Sequence, residues 1–151
     1  MSESRQGIVG ERDFAAHEHR DLRPGLGRIH DVGCMVGHVT AGDLAVALHR
    51  VVTWAERDLE AHVAWEESWL YPELDRRAES CWATRLLRFE HQQIRDGVRR
   101  LDADETSLKH ELGRDGAGEL RSHLFGLEAL IRAHMEREER VIAPLLEGET
   151  P

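Results

Sequence analysis

His62-Val63-Ala64-Trp65-Glu66-Glu67, closed by Pro72, returns 72 residues later as His134-Met135-Glu136-Arg137-Glu138-Glu139, closed by Pro144. The same offset carries Glu18-His19-Arg20-Asp21-Leu22-Arg23 onto Glu90-His91-Gln92-Gln93-Ile94-Arg95. Separate motifs that share one offset mark two similar structural units. Within the first motif the histidine and the glutamate stand four apart, so they are neighbours on one helix face. The repeat therefore reads as two helical hairpins, each offering one histidine from its first helix and a His-x-x-x-Glu pair from its second.

The surrounding apolar pattern agrees with that reading. Ala15, His19, Leu22, Leu26, Ile29 and Gly33 follow one another at steps of four and three, the inward stripe of a first helix. Pro24 lies inside it and predicts a kink just after the turn that carries His19. Gly33, Gly37 and Gly42 mark a turn, and Thr40-Ala41-Gly42-Asp43 reads as a helix start. Leu48, Val52, Ala55, Leu59, His62, Glu66 and Trp69 form the second stripe, predicted to end near Tyr71-Pro72. Asp75 to Glu79 then reads as a charged connection and Ser80 as a cap. Thr84, Leu87, His91, Ile94, Val98 and Leu101 form the third stripe; Asp102 to Gly116 reads as a loop with a helical extension. Leu120, His123, Leu127, Leu130, His134, Glu138, Val141 and Leu145 form the fourth. The expected fold is all-α: an up-down-up-down four-helix bundle with a kinked first helix and a pseudo-two-fold hairpin repeat, one domain over 1–151 with its ordered part at about 11–147.

Composition narrows the function. Aromatic residues are 5% of the chain and charged residues 32%, which suits amphipathic helices. With 29 acidic against 20 basic residues the net charge is −9, which repels nucleic acid and anionic lipid. The polar stretch Met1 to Gly10 has no signal-peptide core and no stretch is apolar enough to span a bilayer, so a cytoplasmic location is expected. Cys34 and Cys81 form no CxxC pair and fall at opposite ends of the bundle, where they read as reduced packing residues.

Antiparallel helices bring His19, His62, His91 and His134 to one height, with Glu66 and Glu138 one turn away. Six titratable side chains on stripes otherwise built of Leu, Val and Ala would be severely destabilising without a partner, and divalent metal supplies one. Two histidines per ion and two bridging carboxylates give each of two metals four protein ligands. A bridging oxo, hydroxo or water would add a fifth and leave an exchangeable position. Imidazole and carboxylate without thiolate favour iron, with manganese as the alternative.

The pattern His19, His62-x-x-x-Glu66, His91, His134-x-x-x-Glu138 resembles the hemerythrin-like, or HHE cation-binding, domain from about Phe14 to Leu146. That resemblance implies a non-haem di-iron centre with His19 and His62 on one iron, His91 and His134 on the other, and Glu66 and Glu138 bridging. Oxygen-carrying hemerythrins have a fifth histidine where this chain has Arg95, so the asymmetry of one saturated and one open iron is missing. Carriers also use an aspartate five residues after the last histidine. Here Glu138 is chosen by analogy with Glu66, and Glu139 is the alternative. The four-histidine pattern is similar to bacterial hemerythrin-like proteins of peroxide or nitric-oxide chemistry.

Arg23 and Arg95, one turn after His19 and His91, either pair with surface acids such as Glu67 and Glu139 or fix a ligand beside the metals. Trp54, Trp65 and Trp69 read as packing, and Tyr71 points off the ligand face as a minor ligand candidate. His30 and His123 lie eleven residues from the nearest proposed ligand, about 16 Å along their helices, where a second weak metal or proton site is conceivable. His17, His49 and His110 read as solvent-facing. Gly97 and Gly126, small residues near the stripes, do not establish a pocket for an organic substrate. The expected function is redox chemistry on hydrogen peroxide or nitric oxide, catalase-like or peroxidase-like. The alternatives are a dioxygen carrier, store or sensor without turnover, and a di-iron oxygenase. The oligomeric state is left open between monomer and weak dimer.

Overall fold

The computed structural model describes residues 3–108 and 114–147, with side chains over 19–82, 84–108 and 116–140. Expectations for the side chains of Ala15, His17, His110, Val141 and Leu145 lie outside those residues. The helices in order are α1 (Glu3–Met35), α2 (Ala41–Trp54), α3 (Glu60–Trp65), α4 (Tyr71–Ala78), α5 (Trp82–Leu108) and α6 (Arg114–Glu147). Two π turns, Ala55–Leu59 and Glu66–Leu70, weld α2, α3 and α4 into one long second helix. The result is an all-α four-helix bundle, with no strand among the described residues.

Cross-helix contacts set the directions. His19 meets Glu138, His30 meets Glu128 and Arg121 meets Val36, so numbers rise along α1 as they fall along α6. His91 with Glu67, and His49 with Glu105, show the same for α5 and the second helix. His134 with Glu90, and His123 with Asp104, show it for α5 and α6. Each helix is antiparallel to both neighbours, the up-down-up-down order.

The stripes form a large core cluster that includes Leu22, Leu26, Ile29, Leu48, Leu101, Leu120 and Leu124, and a second, smaller one of Leu70, Tyr71, Leu74 and Leu87. Burial of each such side chain stabilises by about 1.5–3 kcal/mol relative to exposure, which sets the register of the four faces. At Gly25 a Cβ would lie 1.9–2.5 Å from three indole carbons of Trp54, whose buried ring occupies that space. α1 passes through Pro24 as one uninterrupted helix. The proline is exposed, so its ring faces solvent rather than the core. Gly37, at φ +86°, turns the chain after α1, and Asp43 N–H donates to Thr40 Oγ1 at 3.1 Å to start α2.

Two boundaries and the setting of the cysteines differ from the sequence reading. The second helix does not stop at Pro72: it runs through the π turn and Pro72 into α4, with the Glu67 carbonyl accepting from Arg88 at 3.2 Å, and ends at Glu79 in a left-handed conformation. α5 continues to Leu108, because buried Leu108 prolongs the stripe beyond Leu101 and the acids of 102–108 find basic partners, Asp104 on His123 and Glu105 on His49. Cys34 and Cys81 are free but exposed, so they are not packing residues; Cys34 sits one step off the buried row Ile29, Val32, Gly33 and Val36, and Cys81 lies in the turn before α5. No helix among the described residues is long and apolar enough to cross a membrane.

Candidate metal centre

Six side chains converge at one height: His19 from α1, His62 from α3, Glu66 from the second π turn, His91 from α5, and His134 and Glu138 from α6. All are buried, Glu66 and His91 completely. His62 Nε2 lies 2.8 Å from Glu66 Oε1, His91 Nε2 3.1 Å from Glu66 Oε2, His19 Nε2 3.1 Å from Glu138 Oε2, and His134 Nε2 3.5 Å from the same oxygen. Two groups of four emerge, His19, His62, Glu66 and Glu138, and Glu66, His91, His134 and Glu138, with each group's ligand atoms within 4.8 Å of one another. Both groups could hold a metal ion, and the two carboxylates belong to both.

The approach is that of ligands around a point. Atoms about 2.1 Å from one cation at angles of 90–110° stand roughly 3.0–3.4 Å apart. The observed separations bracket that range. Despite this proximity, His19 Nε2, both Glu66 oxygens and Glu138 Oε2 make no aligned hydrogen bond. Buried polar atoms normally find partners, so lone pairs aimed past one another fit an ion between them.

A set of carboxylates fixes the imidazoles from behind. Nδ1 of His91 donates to Glu67 at 2.9 Å, Nδ1 of His134 to Glu90 at 2.9 Å, and Nδ1 of His19 to Glu139 at 3.2 Å. Such bonds leave each Nε2 lone pair facing inward. Arginines brace the carboxylates in turn: Arg95 grips both Glu67 and Glu60, Arg23 reaches Glu139 at 3.3 Å, and Arg137 pairs with Glu90. Two of the acids that Arg23 and Arg95 pair with, Glu139 and Glu67, are those that stand behind His19 and His91. Glu138 enters the cluster; Glu139, largely exposed, stays behind His19. Glu90 was missed by sequence reasoning, although Glu18-His19 and Glu90-His91 repeat the acid together with the histidine.

Tyr71 is the main correction. It is fully buried, its hydroxyl donates to Glu138 Oε1 and stands 3.2 Å from His91 Nε2, and its ring stacks on His91 at 5.3 Å. A π turn takes one more residue than an α turn, so Glu66–Leu70 rotates Tyr71 onto the face of Glu66. The same shift turns Trp69 outward to 43% exposure, against its predicted inward place. Trp69 stacks on half-buried Trp65 at 5.6 Å, while Trp54 is core. His30 and His123 take separate partners, Glu128 at 3.0 Å and Asp104 at 2.7 Å, and neither belongs to a metal-binding group among the described residues. His49 is exposed beside Glu105.

Without a cation the cluster holds its charge with protons. Burial would push His19 down, but contact with Glu138 and Glu66 outweighs it and raises His19 to about 10; His91 rises against burial through Glu66. Burial opposes ionisation of Glu66, but His19, His62 and His91 hold it well below its usual range. Burial and the charges of Glu138 and Glu66 raise Tyr71, so its hydroxyl keeps its proton. The histidine contribution to stability is full below its ordinary 6.5 and is lost as pH rises through about 10. The Glu66 contribution is full above its ordinary 4.5 and is lost as pH falls through its lowered value. Thermal melts of metal-free protein should therefore show Tm falling from pH 6.5 to pH 10. Metal-loaded protein should not share that decline, because cations replace the protons. A metal-free Tm that rises over this interval would contradict the assignment.

Neither the curated proteins nor the solved structures yield a match to the chain. The family described as "Hemerythrin HHE cation binding domain" matches residues 12–146, which contain all six clustered side chains. With that coverage and this buried histidine–glutamate core, the chain belongs to the hemerythrin HHE cation-binding domain family.

Proposed function

We propose that the chain is a cytoplasmic di-iron protein carrying out redox chemistry on hydrogen peroxide or nitric oxide. His19, His62, His91 and His134 would hold the ions together with Glu66 and Glu138, the two carboxylates that belong to both groups of four. The observation that carries this reading is the pair of four-residue groups with two carboxylates in common. Two redox-active ions side by side would supply the electrons that a peroxidic or diatomic substrate exchanges.

The protein's own residues supply the rest. Glu67, Glu90 and Glu139 orient three imidazoles, and Arg95, Arg137 and Arg23 hold those carboxylates in place. Tyr71 keeps an O–H at Glu138, the one hydroxyl donor in the cluster among the described residues, and peroxide cleavage needs a proton at such a place. Leu22, Val63, Ile94 and Ile131, buried close to the ligands in sequence, favour a small substrate. Arg95, at the fifth-histidine place of oxygen carriers, is engaged with Glu60 and Glu67 and takes no part in the cluster, which supports turnover over storage.

Metal content of protein from iron-supplemented cells, followed by the visible spectrum and oxygen electrode on adding peroxide, tests the proposal. About two irons per chain with oxygen evolution support it. A stable coloured dioxygen adduct without turnover would favour the carrier or sensor, manganese in place of iron would revise the cofactor, and folded protein that binds no metal would overturn the reading.

A further inference from the structure

The outward face of α5 carries a row unrelated to the metal centre. Trp82, Leu86 and Phe89 stand at steps of four and three and are 75%, 50% and 59% exposed. Their free surface is on the order of 400 Å², the range of the largest apolar patch on a typical monomer, which is often functional. The row continues through Gln93, Asp96, Gly97 and Arg100, where large residues give way to a cleft of about 390 Å³ between α5 and α6, floored by Gly126. A Cβ at Gly126 would meet nothing within 4 Å, so no contact inside the protomer requires glycine there. Glycine inside a helix costs about 0.5–1 kcal/mol relative to alanine.

We propose that the chain forms a two-fold dimer through α5 and α6, with Trp82, Leu86 and Phe89 of each copy filling the cleft of the other. One face carries both the protrusion and the hollow, about ten residues or roughly 15 Å apart along α5, as an isologous interface requires. Antiparallel pairing about a point between Phe89 and Gln93 sets Phe89 over Gln93, Leu86 over Asp96 and Gly97, and Trp82 over Arg100. The chemistry matches at each step. Arg100 meets an indole face, and Arg85, already 5.7 Å from the Trp82 ring, comes within reach of Asp96. The six large side chains contribute on the order of 800 Å², and the cleft walls bring the total to the lower end of stable interfaces, about 1,200 Å².

Sedimentation of the full metal-loaded chain from about 1 to 100 μM tests this. The expected mass at the upper end is twice 17.2 kDa. Phe89→Glu, and separately Gly126→Leu, should each weaken dimerisation by about tenfold or more with unchanged circular dichroism and metal content. Val46→Glu, at a residue 55% exposed elsewhere, should leave the mass unchanged. A monomer throughout, or a dimer that tolerates both Phe89→Glu and Gly126→Leu, would overturn the proposal. Metal content is read on the same samples, so failure here is separable from failure of the di-iron reading.

Discussion

Glu66→Ala is expected to empty both cation positions together. Glu66 lies within 3.6 Å of three of the four clustered imidazoles, His19, His62 and His91, and it belongs to both groups of four. Removing a carboxylate that merely orients a ligand histidine costs about 10–100-fold in metal affinity. Losing an oxygen donor from each of two ions at once should cost more than that, a fall of at least about a hundredfold. Glu67→Ala and Glu139→Ala, which leave the cluster complete, should stay within the smaller range. Metal titration of the three variants after chelator treatment checks the order. A Glu66→Ala protein that retains both ions would sink the shared-carboxylate assignment.

Tyr71→Phe should separate holding metal from using it. The hydroxyl donates to Glu138 and adjoins His91 but is not one of the six converging donors, so phenylalanine keeps the packing and removes one O–H. Metal content should be unchanged and the fold should lose about 1.5–3 kcal/mol for the buried hydrogen bond to a carboxylate. Peroxide turnover should fall by about a hundredfold, the scale of a positioned proton donor. Equal turnover in the variant would show that Tyr71 only packs. Loss of metal would show instead that it serves as a ligand.

How much of this was legible in the sequence depends on periodicity. His19, His62, Glu66, His91, His134 and Glu138 fall on stripes with ordinary helical spacing, and the offset of 72 aligns one hairpin's set with the other's. Tyr71 did not follow, because its position depends on a π turn, and such a turn leaves no pattern of its own in side-chain spacing. The same turn carried the second helix past Pro72, where a rule that holds for α-helices predicted its end. The acidic stretch after Leu101 looked like a loop because its partners, His49 and His123, come from other helices. Glu90 is a different kind of omission. Its signal was present, an acid before the histidine in both repeats, but only the structure shows that it holds the histidine of the next helix.

The absence of a fifth histidine suggested two interchangeable halves. At Tyr71 the interchange fails: the offset of 72 carries it onto Ala143, which has no hydroxyl. The phenol therefore attends Glu138 and His91, and among the described residues no second tyrosine stands beside His19 and His62. A pair of sites that the ligand roster makes degenerate is thereby given a direction. Under the proposed peroxide chemistry a proton delivered by this phenol would have an address, on the His91 side, and events at the two positions would acquire an order that the list of ligands alone does not reveal.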